Sequence, residues 1–89
     1  MTIRRYAVIV TLKRSLLDPQ GETVKGSLPT MGWDNVTDVR VGKHIELTLE
    51  ADDPAAARDQ AEEMAARVLA NPVIEDFRVE ELREVTEPR

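Results

Sequence analysis

The 89-residue chain contains no cysteine, and its aromatics number only three: Tyr6, Trp33 and Phe77. Without cysteine there is no disulfide, no thiolate nucleophile and no zinc–sulfur site. With so few aromatic rings the core must be built from Val, Ile, Leu, Met and Ala. A single histidine, His44, leaves no second imidazole to share a metal. No stretch approaches the ~20 apolar residues of a membrane helix. The basic start "MTIRRYAVIV" is followed by an apolar run too short and too alternating for a signal peptide, so a cytoplasmic protein is expected. Cationic charge is also short: 12 Lys and Arg stand against 17 Asp and Glu, for a net charge of −5. That balance argues against nonspecific nucleic-acid binding, which needs cations to neutralise phosphates.

What is present reads as one small domain over residues 1–82, with 83–89 ("REVTEPR") as a flexible tail of little apolar content. Residues 3–13 alternate, with Tyr6, Val8, Val10 and Leu12 on one face and Ala7, Ile9 and Thr11 on the other, which predicts a strand. Asp18-Pro19 is a helix start: Asp accepts from free backbone N–H groups, and Pro at the first helical position loses no bond. Val24, Leu28 and Met31 follow as an apolar stripe, but Gly21, Gly26 and Pro29 interrupt it. An interior Gly costs about 1 kcal/mol against Ala and an interior Pro about 3 kcal/mol, so this helix is expected to be kinked or tightened near Pro29 and closed by Gly32.

Residues 36–50 carry Val39, Val41, Ile45, Leu47 and Leu49 at one parity. A hairpin with a three-residue loop at Gly42-Lys43-His44 and one long strand bent at Gly42 satisfy that parity equally. A second helix begins at Asp53-Pro54 and ends at Asn71-Pro72, where Asn suits a left-handed cap; its buried stripe is Ala57, Ala61, Met64, Val68 and Leu69. Residues 73–82 read as a last strand, with Val73, Phe77 and Val79 pointing one way. The order β-α-β(β)-α-β describes an α+β, two-layer sandwich of two helices on a small, mainly antiparallel sheet, ferredoxin-like or related. The sheet's open edges, with Ile9 and Ile74 facing away from the helices, imply a homo-oligomer, dimer or tetramer, formed through the sheets.

The chemistry is sparse. His44 reads as a solvated turn residue, Ser15 and Ser27 lack a base, and no glycine-rich phosphate loop is present. Asp52-Asp53, Glu62-Glu63 and Glu80-Glu81 read as a cap and solvated faces. Lys13, Arg14, Arg40 and Lys43 would form a basic rim if the strand ends meet, suited to an acidic partner surface or a phosphate; ordinary solubility charge is the plain alternative.

Three stretches, "VTLKRSLLDPQGETV", "VTDVRVGKHIELTLE" and "LANPVIEDFRVE", taken together resemble the PurS family, the small subunit of phosphoribosylformylglycinamidine synthase, over roughly residues 5–82. The resemblance implies a subunit of an ATP- and glutamine-dependent ligase of purine biosynthesis that bridges a large synthetase subunit and a glutaminase subunit and supports ammonia transfer. It implies no catalytic residue, metal or cofactor on this chain, with ATP and magnesium held by the complex. The motif positions Lys13, Gln20, Gly21, Arg40, Gly42 and Lys43 then become partner-contact candidates, and Asp18 and Pro19 a structural cap. The competing reading is a ferredoxin-like module that senses a small metabolite, needing no partner protein.

Overall fold

A computed structural model describes residues 1–82; the expected tail, 83–89, lies outside the described residues. Strand β1 (Thr2–Leu12) is followed by helix α1 (Pro19–Ser27), strand β2 (Gly42–Ala51), helix α2 (Pro54–Met64) and strand β3 (Glu75–Glu81). The sheet order is β2-β1-β3, and both pairings are antiparallel. β1 is therefore the central strand, with Val8 opposite Ile45 on one side and Val79 on the other.

The alternation in β1 does what its period of two dictates. Tyr6, Val8 and Val10 are fully buried, and Val79 joins them from β3. Ile45, Leu47 and Leu49 of β2 pack against the same core. Burial pushes the Tyr6 phenol above its ordinary value of 10.0, and nearby Glu81 adds to the effect. Neither a hairpin nor a long strand bent at Gly42 forms: β2 starts at Gly42, and residues 33–41 lead into it without regular structure. His44 accordingly lies in β2 opposite Ile9, not in a turn.

α2 covers this core face. Asp53 caps it through Ala56 N–H, at 2.8 Å, and Pro54 opens it. The buried stripe is Ala57, Ala61 and Ala65, each with no exposed surface. Three alanines four residues apart let the helix axis lie close to the strands. The sequence expectation of Met64 and Val68 on this stripe is corrected: Met64 is 37% and Val68 77% exposed. For Val68 the cause is a π turn over Ala65–Leu69, closed by Ala70 N–H on the Ala65 carbonyl at 2.9 Å. Such a turn inserts one residue, so Leu69 instead of Val68 follows Ala65 against the core.

The helix ends at Ala70 in an extended conformation, and Asn71 is not a left-handed cap. Asn71 builds a turn instead. Its side chain accepts from Val73 N–H at 3.0 Å, and its carbonyl accepts from Ile74 and Glu75 N–H at 3.1 and 2.7 Å. Those N–H groups are spent on the turn, so β3 begins at Glu75 and leaves Val73 exposed.

α1 fulfils the expectation at its ends. It stops at Ser27, a 3₁₀ turn follows over Pro29–Met31, and Gly32 closes it with a φ of 102°. The α+β class, both helices and the antiparallel sheet stand. The layer over the sheet is thinner than two helices, however, because α1 projects beyond the sheet instead of lying on it. The chain is accordingly elongated, with a radius of gyration of 16.9 Å against about 12 Å for a compact chain of this length.

The alanine stripe yields a stability test. Ala61→Leu should overpack the helix–sheet contact and destabilise the protein by about 1–3 kcal/mol, read as a lower urea midpoint.

Candidate functional site

The site is built where β1 ends. After Leu12 the chain turns, with Leu16 N–H donating to the Lys13 carbonyl at 2.9 Å. The Arg40 guanidinium reaches back from the segment before β2 and donates to that same carbonyl at 2.8 Å and to the Leu12 carbonyl at 3.4 Å. Arg40 thus closes the end of the central strand.

Asp18 is the pivot of the region. Oδ1 accepts from Gly21 N–H at 3.0 Å, the helix-cap bond expected from sequence. Oδ2 accepts from Val41 N–H at 2.6 Å, which ties the first turn of α1 to the entry of β2. Asp18 is only 3% exposed. A buried carboxylate is tolerated because its charge is satisfied. The Val41 N–H, then the Gly21 N–H, hold its pKa below the ordinary 3.8 against the opposing effect of burial, and the Arg40 charge assists.

Two glycines permit this closeness. Gly21 is buried, and a Cβ there would run into the Val39 carbonyl oxygen. A Cβ on Gly42 would run into the Val10 carbonyl oxygen across the β1–β2 pair. Gly21 and Arg40, which the resemblance suggested as partner contacts, therefore turn inward here: one is a close-approach position, the other a tie between two backbone segments.

Around this knot lies a groove of about 370 Å³, lined by Leu12, Asp18, Pro19, Gln20, Gly42 and Lys43, with Glu75 at its border. The structure thus gathers residues from all three sequence stretches that carry the resemblance. Gln20 and Lys43 present the exposed side chains. The basic rim does form, but carboxylates meet it. Lys13 Nζ lies 3.1 Å from Asp76, Arg14 2.9 Å from Asp38, and Lys43 3.9 Å from Glu75. The first two pairs are exposed and contribute roughly 0–1 kcal/mol, so a partner can exchange them at little cost, while Glu75 is mostly covered and also accepts from Asn71 N–H. Glu75 and Asp76 escaped the sequence reading. Their signal was the β1–β3 register, which sets them opposite Leu12 and Thr11.

Elsewhere the chemistry is thin. His44 Nε2 lies 3.1 Å from Glu46 on the uncovered sheet face. Among the described residues no group of three His, Asp or Glu side chains could hold a metal ion. No helix of the described residues is long and apolar enough to cross a membrane.

Two tests follow from the Asp18 knot. Gly26 has open space around its Cβ position, so Gly26→Ala should stabilise α1 by up to about 1 kcal/mol, whereas Gly21→Ala should destabilise through its clash despite the same gain in helix propensity. Opposite signs in thermal unfolding are expected. Asp18, with its lowered pKa, contributes stability that is full above the unfolded value near 3.8 and is lost as pH falls through the lower folded value. Asp18→Asn sets an amide N–H₂ against one of the two backbone donors. It should lower the Tm at neutral pH by roughly 5 °C or more and flatten the fall in stability below about pH 4.

The comparisons with known proteins agree with this construction. The family described as "PurS: Phosphoribosylformylglycinamidine (FGAM) synthase" matches residues 5–83. The PurS subunit of Bacillus subtilis phosphoribosylformylglycinamidine synthase is 49% identical over 79 residues, covering 85% of this chain and 89% of that protein. Its Synechocystis counterpart is 50% identical over 70 residues, covering 79% and 70% respectively. Among solved structures, a B. subtilis PurS crystal form aligns with a TM-score of 0.74 at 43% identity over 90% of this chain and 99% of that one. A chain of the Thermotoga maritima PurLQS structure aligns with a TM-score of 0.85 at 32% identity, over 92% and 100%. The chain belongs to the PurS family of phosphoribosylformylglycinamidine synthase subunits, in purine biosynthesis.

Proposed function

We propose that this chain is a non-catalytic subunit that bridges the synthetase and glutaminase subunits of an ATP- and glutamine-dependent ligase and supports the passage of ammonia between them. The observation that carries the reading is the groove at the end of β1, where the three family stretches meet around a structural knot. What the groove offers outward is an amide and exchangeable ion pairs, which suit a protein surface. The lone histidine sits elsewhere, beside Glu46. ATP and magnesium belong to the larger subunits in this reading, and the assembly is cytoplasmic. The PurLQS structure supports a multi-subunit setting, since a chain there matches nearly the whole of this one. The uncovered sheet face, with Ile9 half-buried between charged neighbours, supports self-association of the subunit.

Reconstitution tests the role directly. Glutamine-dependent product formation by the two larger subunits should rise at least tenfold when this chain is added, and equal activity with and without it would sink the proposal. A chain carrying Gln20→Ala and Lys43→Ala should keep a Tm close to wild type yet assemble at least tenfold more weakly in a pull-down titration. Unchanged affinity removes the groove from the interface.

A further inference from the structure

Every carboxylate in the groove at the end of β1 is already engaged. Asp18 gives one oxygen to Gly21 N–H and the other to Val41 N–H. Glu75 gives Oε1 to Asn71 N–H at 2.7 Å and turns Oε2 toward Lys43. The Arg40 guanidinium is committed as well, to the Leu12 and Lys13 carbonyls. Lys43 is in the opposite condition. Its Nζ stands 3.9 Å from Glu75 Oε2, beyond hydrogen-bond reach, and among the described residues it donates to nothing else.

The two ends of that contact are held unequally. Lys43 opposes Val10 from β2 and Glu75 opposes Leu12 from β3, so the pair arches over the end of the central strand. The Glu75 side chain is 17% exposed and tied to the turn that follows α2, whereas Lys43 is 58% exposed on a flexible stem. When Lys43 moves away, Glu75 keeps the Asn71 N–H and is not orphaned. Lys43 is therefore the transferable member.

We propose that, within the bridging role on which this rests, the groove receives an acidic side chain from a loop of one of the larger subunits. Its carboxylate takes Lys43 from Glu75, and its aliphatic stem rests on Leu12. One ion pair is given up and one is formed. The gain lies in replacing a long contact by a charge-assisted hydrogen bond. Charge complementarity selects the carboxylate, because the group left without a partner is a cation. The shape selects a protein loop over a free metabolite. Gln20, Gly42 and Lys43 are exposed, so the groove is an open trough, whereas small-molecule sites bury most of their ligand. A loop brings its own cover. Glu75 is thus a placeholder that keeps Lys43 over the groove until the partner's carboxylate arrives.

The test is a binding titration of the full chain against each larger subunit. Lys43→Ala should weaken binding by about fivefold or more, and Lys43→Arg should recover most of it. Glu75→Gln keeps an amide oxygen for Asn71 N–H but releases Lys43, so it should bind about threefold tighter or more. The variant with both Lys43→Ala and Glu75→Gln should match Lys43→Ala alone. Added salt should weaken the wild-type chain more steeply than Lys43→Ala. Opposite signs from two neighbouring substitutions do not arise from a general loss of fold. A wild-type chain that binds while Glu75→Gln binds no tighter overturns this inference and leaves the bridging role standing. A wild-type chain that binds neither larger subunit overturns both. A saturable rise in Tm of the chain alone with inorganic phosphate, lost in Lys43→Ala, makes the groove a small-anion site and overturns the loop.

Discussion

The Asp18 carboxylate is the constraint on which the rest of this small structure depends. It binds two backbone N–H groups from segments that are far apart in sequence, one opening α1 and one entering β2. The two donors face different oxygens of the carboxylate, so an amide of the same shape would set its N–H₂ against one of them. The buried charge persists because both oxygens are occupied and Arg40 stands nearby. Once it is in place, the Val39 carbonyl sits against the helix and only glycine fits at position 21. The short stretch from Asp18 to Gly21 is thus a joint, with one residue supplying the bond and the other the clearance.

The division of labour at the groove follows from this. Residues of the motif that hold the joint face inward, and those left facing outward are Gln20 and Lys43. A rigid scaffold beneath a few exchangeable polar contacts is a common way to present a protein-binding surface. It also accounts for a glycine in the first turn of a helix already weak by propensity: the local cost is offset by the tie to β2.

Much of the fold was legible because its signals are local. The alternation of Tyr6, Val8 and Val10, the two Asp-Pro starts and Pro29 followed by Gly32 all act within a few residues. What escaped was set by events beyond that range. An uninterrupted 3.6-residue period puts Val68 on the core stripe, and nothing in "MAARVLAN" announces the π turn that shifts the register. Gly21 was legible as unusual but not as buried, since the Val39 carbonyl that excludes a side chain lies outside the helix. Parity leaves a hairpin and a long bent strand equal at Gly42, and neither forms, because pairing with β1 ends at Gly42 opposite Thr11 and leaves residues 36–41 outside the sheet. Glu75 and Asp76 gained their place at the groove only through the β1–β3 register.

The position of β1 has a consequence for how the chain reaches this state. It precedes both of its partner strands in the chain and sits between them, with Tyr6 opposite Leu47 on one side and Glu81 on the other. Neither neighbour exists when β1 leaves the ribosome, and the second follows only after α2 has been made. Loop-closure entropy for both pairings must be met before their contacts form, which slows folding relative to a hairpin-built sheet. For that interval "YAVIVTL" is an apolar strand with both edges open, the segment most exposed to pairing with another nascent copy. The topology that gives the finished subunit its buried central strand makes that same strand its principal aggregation hazard during birth.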